Sequence, residues 1–363
     1  MMNAEEAIAY IRTYSGEAGR PGLSRIRELL HRMGNPQNRL RFVHVAGGSG
    51  RGPACTALES VFRSAGYTTG LLLASSDSVR LSGRIRTDGC PIPDGDLAHV
   101  TEETAVLADA MEEHPTESEL STALAIQYFA EQGCEIVLLE AGMGGETDST
   151  NVIDRPDAVL IMDVGPERTE DPEASRMETA EANAAVIKQG CTAVCYPVSP
   201  EANRLFRGRC AAMYAGYAEA DLSALEPAER ETEGQPFLWR GREIVIPDDL
   251  RPGDAAVVLT AAETLRGLGW ELPAAAVREG LRTVHRSAQS PEPAGETPEE
   301  NGGAPEENGG VPEENGETSG ENIETPEENG GAPEANGGET EENGDATEEN
   351  GRAAEKGRKD FRA

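Results

Sequence analysis

The sequence predicts a doubly wound α/β domain on a mostly parallel sheet, followed by a long acidic tail. Three observations lead there. Apolar runs at residues 135–140 and 158–163 read as strands buried on both faces, as parallel sheets require. They alternate with segments of helical period, which places crossover helices on both sides of the sheet. A glycine-rich stretch, His44-Val45-Ala46-Gly47-Gly48-Ser49-Gly50-Arg51-Gly52-Pro53-Ala54-Cys55, joins an apolar strand to a helix. That is the layout of a phosphate-binding loop, in which backbone N–H groups and a helix N-terminus face an anion.

Apolar residues at Ile8, Ile11 and Tyr14, then at Leu23, Ile26, Leu29 and Leu30, predict two amphipathic helices. Gly34-Asn35-Pro36 stops the second. A strand over 41–46 enters the glycine loop, a helix over 55–64 leaves it, and a strand follows at 70–73. Asp88-Gly89 marks the turn of a polar hairpin within 81–92. Helices are expected near 96–112 and over 118–132, the latter with Leu120, Leu124 and Tyr128 on one face. Beyond the strand at 158–163 come a helix near 177–188 and a strand at 192–196. Two short strands about Arg240-Gly241, within 237–246, and helices at 254–268 and 273–281 complete the domain.

Charge and composition set the boundary. Residues 1–289 carry 44 acidic and 27 basic side chains, whereas 290–351 carry 20 acidic residues and no Lys or Arg. The second segment repeats Pro-Glu-Glu-Asn-Gly-Gly from Pro298, Pro305, Pro312, Pro326 and Pro333, and is too apolar-poor to offset chain entropy. The expected division is therefore a folded domain over 1–289 and a disordered tail over 290–363. A net charge of −34 argues against nucleic acid and anionic membranes as partners. No run of 18 apolar residues and no secretory leader is visible, and the six cysteines form no C-x-x-C pair, which points to reduced thiols in the cytoplasm. Cys191 and Cys195, four apart on a strand, read as core residues.

The loop presents a contradiction. A working phosphate loop needs a lysine for the terminal phosphates and a hydroxyl for magnesium; here those positions hold Arg51 and Pro53. The cradle of Gly47, Ser49, Gly50 and Gly52 is intact. Arg51 either touches a nucleotide phosphate or is an ion-paired or solvated arginine.

Further motifs carry a resemblance. Gly22-Leu23-Ser24-Arg25-Ile26, Gly34-Asn35-Pro36-Gln37, the loop, Val79-Arg80 through Arg84-Ile85, Leu139-Glu140-Ala141-Gly142-Met143-Gly144-Gly145 and Asp148-Ser149-Thr150-Asn151-Val152-Ile153 follow in order over residues 20 to 190. Together they resemble the ATP-binding domain of the Mur ligase superfamily, in its folylpolyglutamate synthase and dihydrofolate synthase branch. A weaker match covers 252–265. The resemblance implies ATP and Mg2+ as cofactors, a folate or dihydropteroate acid activated as an acyl phosphate, and amide formation with glutamate. It also implies a second domain completing the site, where this sequence has its acidic repeat; a protein partner supplying that domain is one expectation.

Set against the family pattern, the chemical groups are depleted. The resemblance puts a magnesium-binding glutamate at Glu119, which taken alone reads more readily as a solvated helix residue. It puts a metal-binding histidine at Arg168, a carbamylated lysine at Asn183, an S-P-H turn at Ser75-Ser76-Asp77, an arginine at Glu146, and histidine and glutamine at Asp254 and Ala255. The five histidines form no metal-spaced pair, and His44 reads as a packed core residue. Glu135, Glu140, Asp148 and Asp163, near strand ends, read as scaffold. The expected protein is a catalytically impaired relative with a binding or partner role, which keeps a weakened nucleotide or folate pocket. The alternatives are a divergent active ligase in which Arg51 replaces the lysine, and a tail that captures a basic partner.

Overall fold

A computed structural model describes residues 2–16, 22–74, 81–142, 144–165, 172–228 and 234–288. The expected tail, and the positions Ser75, Ser76, Asp77, Val79, Arg80, Met143 and Arg168, lie outside the described residues.

Helix α1 (Ala4–Arg12) starts on a capping box in which Asn3 and Glu6 each accept the other's backbone N–H at 2.9 Å. Helix α2 (Ser24–Arg32) ends where Gly34 and Asn35 take left-handed φ angles of 81° and 56°. The Asn35 N–H returns to the Leu30 carbonyl at 2.8 Å, so the Gly-Asn-Pro stop works as a helix terminator. Next come β1 (Phe42–Ala46), α3 (Arg51–Ser64), β2 (Thr69–Leu72), the single turn α4 (Leu81–Arg84), and a hairpin of β3 (Ile85–Thr87) and β4 (Cys90–Pro91). Its turn residues Asp88 and Gly89 both have positive φ, as the tightest hairpin turns demand. Helices α5 (Asp94–Asp109) and α6 (Glu117–Glu131), strands β5 (Ile136–Glu140) and β6 (Ala158–Ile161), helix α7 (Pro172–Ala184) and strand β7 (Thr192–Cys195) follow.

Then come α8 (Pro200–Ala212), β8 (Gly216–Glu219), β9 (Leu225–Pro227), β10 (Gln235–Trp239), β11 (Arg242–Ile246), α9 (Pro252–Gly267) and α10 (Ala274–Ala288). Three of these were not expected from sequence. Helix α8 buries Ala202, Phe206 and Cys210 at four-residue spacing behind a Ser199 cap, a stripe too narrow to stand out. Strand β8 is a partly exposed edge and β9 has three residues, so neither shows an apolar run. Helix α3 also begins at Arg51, four residues before the expected start. Pro53 then sits in its first turn, where no N–H is required.

The main sheet runs β4-β3-β2-β5-β1-β6-β7-β8, with β2 through β8 parallel to one another and β3 and β4 as antiparallel additions at one edge. Alternation along β1 shows both faces covered: Val43 and Val45 pack toward α3, α9 and α10, while Phe42 faces the layer of α1, α2, α5 and α6. Helices α7 and α8 cover β6 and β7 on that second face through Val159, Ile161, Ala193 and Cys195. Cys191, Cys195 and Cys210 are buried there as free thiols, pushed up by burial, so the core reading of the first two holds. A small antiparallel sheet, β11-β10-β9, extends the first layer. Helix α10 crosses α3 closely: a Cβ on Gly280 would lie 2.5 Å from the Val61 Cα. No helix among the described residues is long and apolar enough to cross a membrane.

Candidate functional site

Strand β1 lies between β5 and β6, so its loop emerges between the C-terminal ends of both neighbours, where open α/β sheets bind ligands. Two glycines are required by crowding at that exit. A Cβ on Gly47 would come within 2.7 Å of the Met162 backbone, and one on Gly48 within 2.5 Å of the Asp163 carbonyl oxygen. Gly50 has φ +87° and caps the helix, a conformation L side chains resist.

Two of the loop's backbone donors are spent within the protein. The Gly47 N–H donates to Asn183 Oδ1 at 2.8 Å, and the Gly48 N–H to the Asp163 carbonyl at 3.0 Å. Asn183 is held for this by its own Nδ2, which donates to the Thr179 carbonyl one turn back at 2.8 Å. The N–H groups of Ser49, Gly50, Arg51 and Gly52 have no acceptor among the described residues. They point the helix dipole of α3 at the loop mouth.

Arg51 takes its ion-paired form. Its Nη1 donates to the Gly142 carbonyl at 2.7 Å, and its Nε lies 3.8 Å from Glu140 Oε1. Glu140 ends β5 directly beside the loop, within 3.4 Å of where a Cβ on Gly52 would be, and accepts the Ala74 N–H at 3.0 Å. This carboxylate, read from sequence as scaffold, is the acidic group that meets the loop's cation. The opposite lip is closed by Asp254, at the start of α9. Its carboxyl carbon lies 2.6 Å from where a Cβ on Gly50 would be, and the residue is 1% exposed. Arg251 grips that carboxylate through Nε at 2.7 Å and Nη2 at 2.9 Å, reaches Asp163 at 3.8 Å, and is held firmly protonated by the Asp254 hydrogen bonds. Burial, with Asp163 and Asp254 nearby, pushes the neighbouring Tyr196 phenol up.

Glu119 is placed differently. It is the third residue of α6, where it forms a capping box with Thr116, and its Oε2 accepts both the Thr116 N–H at 2.8 Å and Arg25 Nε at 2.9 Å. Its Oε1 accepts Arg25 Nη2 at 3.2 Å. Both oxygens of the carboxylate expected to hold magnesium therefore face donors.

Under the loop, His44 Nε2 lies 2.8 Å from Thr150 Oγ1, which donates to Asp148 Oδ1 at 2.5 Å. That direction makes His44 the donor to Thr150 and leaves its buried Nδ1 without a partner among the described residues. Burial lowers its pKa to about 4, so it is a neutral core histidine, as read from sequence. Asp148 also accepts the Gly144 N–H at 3.0 Å, and Asn151 Nδ2 donates to the Gly145 carbonyl at 3.2 Å. These residues shape the turn after β5. Among the described residues no cluster of His, Cys, Asp or Glu is arranged to hold a metal.

The residues present do not fit a magnesium–triphosphate group. The cradle offers four free N–H donors, but its cation is bonded to protein oxygens, its hydroxyl position is a proline, and the carboxylate of Asp254 stands against Gly50.

No protein-family model matches the chain. It is similar to the folylpolyglutamate synthase of Lacticaseibacillus casei, 29% identical over 302 residues, covering 79% of this chain and 70% of that one. It is 30% identical over 260 residues to the dihydrofolate synthase/folylpolyglutamate synthase of Bacillus subtilis, covering 68% of this chain and 60% of that relative. A solved complex of a folylpolyglutamate synthase with AMPPCP and folate superposes with a TM-score of 0.69 at 28% identity, over 78% of this chain and 72% of that one. The folylpolyglutamate synthase of Thermotoga maritima gives 0.66 at 25% identity, over 77% and 65%. By sequence order, sheet topology and these likenesses, the chain is a homologue of folylpolyglutamate and dihydrofolate synthases and shares their Mur ligase fold.

Proposed function

We propose that this protein is a catalytically impaired member of its family, a binding or partnering module that keeps the mould of a nucleotide site without its reactive groups. One observation carries the reading. At both lips of the loop, the cations that could meet a phosphate are engaged by the protein's own groups, Arg51 by Glu140 and Gly142, and Arg251 by Asp254. Phosphoryl transfer depends on cations and metal ligands aimed at charge that develops in the transition state, and losing one such group costs about 2.7–4 kcal/mol of barrier. Pro53 and Asn183 remove two further groups, since neither a hydroxyl nor a carbamate can form there.

Incubating the full chain with Mg–ATP, L-glutamate and either tetrahydrofolate or dihydropteroate tests this. The expected result is no phosphate release and no ligated product above a protein-free blank. Product formation overturns it and supports a second reading, an active divergent ligase. The four unspent N–H groups from Ser49 to Gly52 and the long Arg51–Glu140 separation favour that alternative, because Arg51 needs only to let go of Glu140 to meet a phosphate. Melting in millimolar Mg–ATP separates the outcomes further: a native-state ligand raises the transition by mass action. A raised transition without product means that binding survives and chemistry does not.

A further inference from the structure

The far end of α9 borders a second, chemically different site. From Asp254 at the loop to Arg266 is twelve residues of helix, about 18 Å at 1.5 Å per residue. There β10, β11, α9 and α10 enclose a groove of about 350 Å³. Its floor is apolar, formed by the buried Trp239, Ile244, Leu259 and Val277. Its rim carries four exposed guanidiniums, Arg240, Arg242, Arg266 and Arg278, against one carboxylate, Glu263, among the described residues. In a domain with 44 acidic and 27 basic residues, this is a local reversal of sign.

We propose that the groove is a docking site for a glutamate-rich peptide segment of a partner protein. Glu263 does not discharge the rim. Its Oε1 accepts the Trp239 indole N–H at 2.9 Å and its Oε2 pairs with Arg240 at 3.2 Å, so it neutralises one arginine only. Arg242, Arg266 and Arg278 have no carboxylate partner among the described residues.

The three stand on three elements, β11, α9 and α10, around the groove, where an extended chain with charges at intervals can meet them in turn. There is no stacking platform for a nucleobase among the described residues, since Trp239 is 7% exposed and Arg240 sits 5.3 Å from its ring centroid. Carboxylates fit the planar fork of arginine, and small apolar side chains between them fit the floor. The negative charge of the remaining domain is screened beyond about 8 Å at physiological salt, so the rim dominates at contact. Exposed pairs are individually weak, so binding requires several carboxylates at once.

Fluorescence anisotropy of a labelled peptide of four Pro-Glu-Glu-Ala units against the full chain tests the proposal. Saturable, salt-weakened binding is expected. It should fall at least about tenfold in the Arg266→Glu/Arg278→Glu double variant and stay unchanged in Arg12→Glu, an exposed arginine on α1. Both rim positions are exposed, and an unchanged melting transition verifies that the double variant folds. Absence of saturable binding, equal binding by the double variant, equal binding of the Pro-Gln-Gln-Ala peptide, or preference for inorganic polyphosphate each overturns it. None of these readouts depends on Mg–ATP or ligation, so the proposal stands or falls separately from the reading of the loop.

Discussion

Two arginine–carboxylate pairs flank the same end of the sheet and do opposite things. Arg25 and Glu119 are almost dry, with side chains 8% and 6% exposed, and make two hydrogen bonds at 2.9 and 3.2 Å. Arg51 and Glu140 are 21% and 13% exposed and stand 3.8 Å apart. The first pair also closes the cap of α6, where Glu119 accepts the Thr116 N–H. The second borders an open loop with unspent N–H donors, where water or an anion can take the place of Glu140 beside Arg51. A dry, saturated pair is a strut; a long, wetter one is a latch. The family resemblance assigns metal chemistry to the strut's glutamate, while the latch's glutamate is the one that meets the loop.

Breaking the strut should produce the largest effect. Glu119→Leu removes the carboxylate that pairs with the buried Arg25 guanidinium, and urea unfolding should register a loss of about 3–5 kcal/mol. An equal loss on breaking the latch would erase the distinction between the two pairs.

Acidification probes the base of the loop. Folded His44 titrates near 4 against an unfolded value near 6.5, so the unfolded chain binds a proton that the folded chain refuses. Its contribution is complete above the unfolded value and is lost as pH falls from about 6.5 toward 4. The loss amounts to about 3 kcal/mol, since each pKa step of one is worth about 1.4 kcal/mol. Denaturation curves of His44→Gln should lack that part of the acid slope.

The helix crossing comes next. Gly280→Ala drives a methyl into the α3 backbone at Ser60 and Val61, and thermal melting should show about 1–3 kcal/mol of destabilisation.

Releasing the latch should cost least. Glu140→Gln is expected to change stability by at most about 1 kcal/mol, as for other partly exposed pairs. It frees Arg51, so pyrophosphate should raise the melting transition of the variant more than that of the parent. An identical response in both proteins would mean that Glu140 does not restrain the arginine.

Local features of the fold were legible because their causes lie within a few residues. The strand–glycine loop–helix unit, the Gly34-Asn35 stop and the Asp88-Gly89 turn each depend on neighbouring backbone conformation and side-chain period. The same logic explains what was missed. Helix α8 and strands β8 and β9 take their burial from an edge of the sheet, and their own residues carry little pattern. The partners at the site are further still from local reach. Arg51 meets the Gly142 carbonyl across 91 residues, and Arg251 reaches the Ser49 carbonyl across 202.

By itself the sequence determined that a phosphate-loop mould stands on a doubly wound sheet, and that Arg51 and Pro53 hold its lysine and hydroxyl positions. Residue identity and short-range geometry suffice for both, whereas Asn183 at the place of a carbamate-forming lysine is what the family resemblance implies. Only the tertiary structure decided how the remaining groups are used: Asn183 binds the Gly47 N–H, Glu140 engages Arg51, Asp254 fills the lip at Gly50, and Glu119 is held by Arg25. Those pairings follow from strand order, which brings the ends of β5 and β6 against β1, and charges pair with what lies near them in space, not along the chain.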